Sequence, residues 1–344
     1  MKIANYIFII VYLVFILLVA GFNYIIDPWG LFNKSALNIS PDFMDSPYTP
    51  IKLSKNKKAQ KVIIGGSEAK YLNIQKYDDK IADISTYYAT IDDVVKLSEF
   101  YLKLHPETKK VYFLVEFKLF DKRERKLEAP KPCLCAKEIY KIFLSIDTTK
   151  KSINKLLKKE NNKLKIDDGK NNIEALKINP LIITKDNSDY SKNAIKNLDK
   201  LFNLLKKKNI EIICLIPPSH ANYQLRMYER LGDKKDEIIK YLAKNSTLLI
   251  NMEMINNESK TKIKDSKKYF LDEIHISDKY AKILYEALIA PDKKNDLYDI
   301  INEKNINSYL LKHKKDILNY KKSNYPDYLE YRKRESEKLT KSKN

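Results

Sequence analysis

A serine hydroxyl attacks a carbonyl only when a base takes its proton, and the base works best when an acid fixes its tautomer and steadies its cation. This chain carries those three residue types in a suggestive order. Val62-Ile63-Ile64 runs into Gly65-Gly66-Ser67, where an apolar strand must give way to a helix. Two glycines permit a tight turn there, which exposes the Ser67 hydroxyl and aims its own N–H into the same space. Far downstream, Asp272 and His275 stand three residues apart in Leu271-Asp272-Glu273-Ile274-His275, just ahead of another helical pattern. From one loop, His275 can face Ser67 while Asp272 sits behind the imidazole. Gly-Gly-Ser also occurs as an ordinary loop, and Asp-x-x-His arises by chance. The weight lies in their combination, in a chain with only four histidines.

Other candidates surround this triad. A tetrahedral intermediate needs N–H donors, and the expected ones are Ser67 itself on the Gly66 turn, with Ala89 or Thr90 after the second strand. His220 follows Ile216-Pro217-Pro218-Ser219 at the edge where open α/β sheets bind ligands. It reads either as a substrate contact or alternative base, or as a turn residue. His105 and His313 read as surface residues. Glu68 and Lys70 read as solvated first-turn residues, although Glu68 could bind an incoming hydroxyl group. Glu116 is given no role beyond that of a possible buried acid. No metal site is expected, since Cys133 and Cys135 lack further soft ligands nearby. That pair could form a strained disulfide, whereas Cys214, within an apolar strand, reads as a buried small hydrophobe. No cofactor is expected.

The elements that must position these residues alternate between strands and helices, the pattern of a parallel sheet covered on both faces. Expected strands are 61–64, 84–88, 110–116, 210–216 and 247–251. Asp92 is a candidate cap for a helix burying Val94, Leu97 and Tyr101. A second helix carries Ile195, Leu198, Phe202 and Leu205 on one stripe. A third starts after Ser277, a candidate N-cap, and buries Ala281, Leu284 and Leu288. Residues 121–190 interrupt the rhythm and read as an insertion, either a lid beside the site or a docking surface. Residues 292–344 read as a charged, tyrosine-studded tail.

From Tyr6 to Ile26 the only polar residues are tyrosines and Asn23, and this length spans a bilayer as a helix. Lys2 ahead of it favours an inside amino terminus. The stretch is long for a cleaved signal peptide, and Leu18-Val19-Ala20 lacks a small residue at the −3 position. The expected organisation is therefore a short cytoplasmic tail (1–5), a single-pass anchor in the cytoplasmic membrane (6–26), a linker (27–57) and a main domain outside the cytoplasm (58–291). The net charge of +20 is spread along the chain rather than gathered into an arginine-rich arm. It suits anionic lipid or an acidic polymer better than nucleic acid, which is not an expected partner.

In Gly66-Ser67 after the first strand and Asp272-x-x-His275 before the last helix, the domain resembles the SGNH (GDSL-like) hydrolase superfamily. The likeness implies a flavodoxin-like three-layer α/β fold with about five parallel strands. With its amino-terminal anchor the chain is similar to accessory proteins of cell-envelope O-acylation, such as alginate and peptidoglycan acetylation factors and the D-alanylation protein of teichoic acid synthesis. That resemblance implies acyl transfer through Ser67 onto an envelope polysaccharide, with a membrane-bound O-acyltransferase as acyl donor. The alternatives are an esterase that removes acyl groups and a catalytically degenerate scaffold. The superfamily adds a glycine after the second strand and an asparagine after the third. Here no glycine lies between Gly66 and Gly169, and the third strand ends Val115-Glu116-Phe117.

Overall fold

The computed structural model describes residues 2–28, 59–86, 89–120, 136–161, 193–256, 259–260, 270, 276–291 and 296–341. They fall into two compact units, residues 1–56 with 128–168 and residues 57–127 with 169–344.

The described residues of the first unit are largely helical. α1 (Lys2–Ile26) contains a 22-residue stretch, Asn5–Ile26, within which an 18-residue window has a mean hydropathy of 2.6. It is long and apolar enough to cross a membrane, since about 20 apolar residues suffice. Its side chains from Tyr6 to Phe15 are exposed, whereas Asn23, Ile26 and Asp27 at its far end are buried. In the second unit β1 (Lys61–Ile64), α2 (Ser67–Leu72), β2 (Ile81–Asp83), α3 (Ile91–Leu104) and β3 (Lys110–Leu114) come next. The chain then returns to the first unit with α4 (Ala136–Phe143) and α5 (Ile146–Asn161), which pack on α1. The described part of the expected insertion is thus joined to the apolar helix. The remainder of 121–190, with Cys133 and Cys135, lies outside the described residues.

The second unit continues with α6 (Ala194–Lys207), β4 (Glu211–Ile216), α7 (Ala221–Leu231), α8 (Asp233–Asn245), β5 (Leu248–Asn251), α9 (Asp278–Ile289), β6 (Asp299–Ile301) and α10 (Ile306–Lys341). Its sheet has the order β2-β1-β3-β4-β5-β6, with every pair parallel except β5–β6. The fold is α/β with a six-stranded, mostly parallel sheet. Apolar residues alternate across it. Ile63, Tyr112, Leu114, Ile213, Leu215 and Ile250 meet Tyr280, Ala281, Leu284 and Leu288 of α9 on one face. Val62, Ile64, Val111, Phe113 and Cys214 are buried toward the other. Cys214 is free and fully buried, as its apolar strand predicts, and burial pushes its thiol pKa up.

Three local expectations change. The second strand lies at 81–83; beyond it Ile84 and Thr86 N–H still donate to Ile63 O and Gly65 O, while the Asp83 carboxylate accepts from Ser85 N–H and Oγ and from Lys70 Nζ. Thr90, not Asp92, caps α3: its Oγ accepts from Asp93 N–H while Asp93 returns a bond to Thr90 N–H. In segment 292–344, β6 pairs antiparallel with β5, and α10 buries Tyr309, Leu310, His313, Ile317 and Tyr320. Ser277 does cap α9, accepting from Tyr280 N–H.

Candidate active site

The order of the strands reverses between β1 and β3, and ligands of open α/β sheets bind at the carboxyl ends of the strands at such a switch point. The Gly65-Gly66-Ser67 turn leaves β1 there. Gly65 has φ +152°, and a Cβ on it would meet Leu114 O at 2.9 Å. A Cβ on Gly66 would stand 2.6 Å from Glu116 Oε2. Both positions thus need glycine, one for backbone conformation and one because a carboxylate from the end of β3 fills the space. Ser67 opens α2 and is only 7 % exposed.

Glu116 is the residue that sequence reading left without a role. It is buried, and its Oε1 accepts the Glu68 N–H at 2.7 Å, which ties the glycine turn to the end of β3. Its Oε2 faces Lys118 Nζ at 3.1 Å. Lys118, in the 3-10 turn Phe117–Phe120, donates a hydrogen bond to Ser67 Oγ at 2.7 Å, with Glu68 Oε1 at 4.0 Å from its Nζ. In this arrangement the lysine is donor and Oγ is acceptor. Glu68 is buried rather than solvated. One signal was available in the sequence: an acid directly after an apolar strand, at the edge where the sheet binds ligands.

The other expected site residues are distributed as follows. Ala89 is buried at the start of the approach to α3. The Thr90 N–H donates to Asp93 Oδ2 at 2.9 Å, so the capping box occupies it and it does not serve as an oxyanion donor. His220 is buried and caps α7, its Nδ1 accepting from Asn222 N–H at 3.2 Å. That bond leaves the proton on Nε2. Asp272 and His275 lie outside the described residues. Their flanks do not: Phe270 and Ile276 form an antiparallel bridge, so the chain leaves and returns at one place. The Phe270 ring stands edge-on to His220, with centroids 6.4 Å apart. His105 and His313, expected at the surface, are both buried, stacked on Tyr101 and Tyr309 respectively.

A second charged cluster lies beyond β4 and β5. Lys235 Nζ meets Glu253 Oε2 at 2.6 Å, and Ser219 Oγ donates to Glu253 Oε1 at 3.0 Å. Glu253 N–H donates to Asn251 Oδ1, and Asn251 in turn bonds Tyr309 OH. Phe117 covers Lys235, its ring centroid 4.6 Å from Nζ. Tyr223 feels both clusters: burial first, then the charge of Glu68 and, more weakly, that of Glu253 raise its phenol pKa.

Among the described residues no group of His, Cys, Asp and Glu is arranged to hold a metal. No family model and no curated protein matches this chain.

Proposed function

We propose that this chain is a membrane-anchored, extracytoplasmic serine acyltransferase of SGNH-like type that modifies a cell-envelope polysaccharide. The observation that carries the reading is Ser67 at the switch point of the sheet, on a glycine turn, with Lys118 Nζ 2.7 Å from its Oγ. A buried serine gripped by a lysine and braced by a carboxylate suits an oxygen that must carry developing charge.

In this reading His275, oriented by Asp272, takes the Ser67 proton as Oγ bonds the acyl carbon, and passes it to the donor's leaving group as that group departs. A sugar hydroxyl then gives its proton to the neutral His275 and attacks the same carbon, and Oγ is released as it takes that proton back from His275. Lys118 and the Ser67 N–H stabilise the charge of the tetrahedral intermediates. The lysine stands after β3, where the superfamily places its asparagine, and it supplies the missing donor. The acyl group comes from a membrane-bound O-acyltransferase and the acceptor is an envelope glycan; α1 holds the enzyme in the bilayer.

A serine-reactive fluorophosphonate applied to the full-length protein tests the nucleophile. Labelling is expected in the native chain and its complete loss in Ser67→Ala. Unlabelled native protein with a cooperative melt would instead indicate a scaffold. Mass spectrometry of the envelope glycan from a deletion strain decides direction. Less acylation supports transfer, and more acylation marks an esterase.

A further inference from the structure

α5 is inside out for a helix in water. Its buried side chains are polar: Thr148 is 1 % exposed, Ser152 0 % and Lys155 9 %. They face the end of α1, where Ser152 Oγ donates to Asn23 Oδ1 at 2.7 Å. Asn23 Nδ2 in turn donates to Thr149 Oγ1 at 3.0 Å and to Phe143 O at 2.7 Å. The opposite stripe is apolar and open. Ile146, Ile153 and Leu157, at spacings of seven and four, are 72 %, 43 % and 62 % exposed. Surface helices of soluble proteins show the reverse pattern, with the apolar stripe inward.

We infer that the α4–α5 hairpin is a second membrane contact, an interfacial foot that lays Ile146, Ile153 and Leu157 into an anionic lipid surface beside the outer end of α1. The occupant follows from three observations. The hairpin forms one compact unit with the helix that is apolar enough to span the bilayer. It is fastened at Asn23 and Tyr24, the last turn of that span, which brings it to the depth of the lipid headgroups. Seven lysines stand against Glu138, Asp147 and Glu160 over 136–161, and exposed Lys150 borders the apolar stripe, where its stem can lie along the acyl region with the ammonium among phosphates. Both the apolar stripe and the positive charge then meet the chemistry that suits them. The inference rests on α1 being a membrane span, and is independent of the serine chemistry.

Full-length protein with Cys133→Ser and Cys135→Ser would be labelled with a polarity-sensitive fluorophore at one introduced cysteine, Cys214 being fully buried. The positions are Ile146→Cys, Leu157→Cys, Val11→Cys within the span, and Lys282→Cys on the exposed side of α9. Each protein would be reconstituted in phosphatidylcholine–phosphatidylglycerol vesicles with brominated acyl chains. A blue shift and loss of emission to the bromines are expected at 146, 157 and 11, and neither at 282. If 146 and 157 behave like 282 while 11 is quenched, the foot is overturned and the span stands. If 11 is not quenched either, the span fails and the foot falls with it.

Discussion

Two lysine–glutamate pairs sit at the carboxyl edge of one sheet, and they are built for different ends. Lys235 and Glu253 are sealed, with side chains 1 % and 3 % exposed, and both Glu253 oxygens hold hydrogen bonds. Lys118 and Glu116 are less complete. Lys118 keeps 12 % of its side chain open, and Glu116 Oε2 faces it at 3.1 Å without hydrogen-bond geometry. The first pair closes on itself and on β5. The second spends its lysine on a serine hydroxyl. A buried ion pair whose remaining groups are satisfied fixes local structure, whereas one that reaches toward a hydroxyl is poised to respond to charge appearing there.

The largest effect should come from breaking the sealed pair. Lys235→Met leaves Glu253 buried without its cation and should cost about 3–5 kcal/mol in urea unfolding. Lys235→Met with Glu253→Leu should recover much of that loss; equal instability in the double variant would argue against ion pairing as the cause. Lys118→Met should act mainly on chemistry, slowing fluorophosphonate labelling of Ser67 by about a hundredfold to a thousandfold. Should labelling per folded molecule persist while stability falls as far as in Lys235→Met, the two pairs would be equivalent counter-ions and the contrast would dissolve.

Gly66→Ala separates the turn from the pair that braces it. Its Cβ must push the Glu116 carboxylate off the Glu68 N–H, costing about 1–3 kcal/mol in thermal or urea unfolding and slowing labelling together. The smallest effect is one of pH. Burial first, then the charges of Lys235 and Lys312, push the His313 pKa down to about 3 from its ordinary 6.5. The unfolded chain therefore binds a proton below 6.5 that the folded chain refuses until about pH 3. Stability should fall as pH drops through that window, by at most about 1.4 kcal/mol per pH unit from this group. His313→Phe, which keeps the stack on Tyr309, should flatten the slope in unfolding curves taken across those pH values.

The sequence was most legible where the signal is local. The alternation of strands and helices, the spanning length of α1, the glycine turn before Ser67, the Ser277 cap and the burial of Cys214 all follow from neighbours a few residues apart. Legibility failed where a neighbour competes: Thr90 outbid Asp92 as a cap because Asp93 returns its hydrogen bond. It failed again in 292–344, where charge masked a buried stripe from Tyr309 to Tyr320 that packs on α7 and α8 and reaches Asn251 of β5.

What the sequence alone determined is an α/β domain behind an apolar helix, with a serine presented on a turn that only glycines allow. Tertiary structure decided what touches that serine. Lys118 lies 51 residues from Ser67 and meets it because the parallel register Ile64↔Phe113 sets the two strand ends side by side. It also decided that the polar face of α5 turns inward, toward Asn23 more than a hundred residues away. Periodicity reports which face of an element is apolar; which neighbour that face meets depends on strand order and register, which no local pattern encodes.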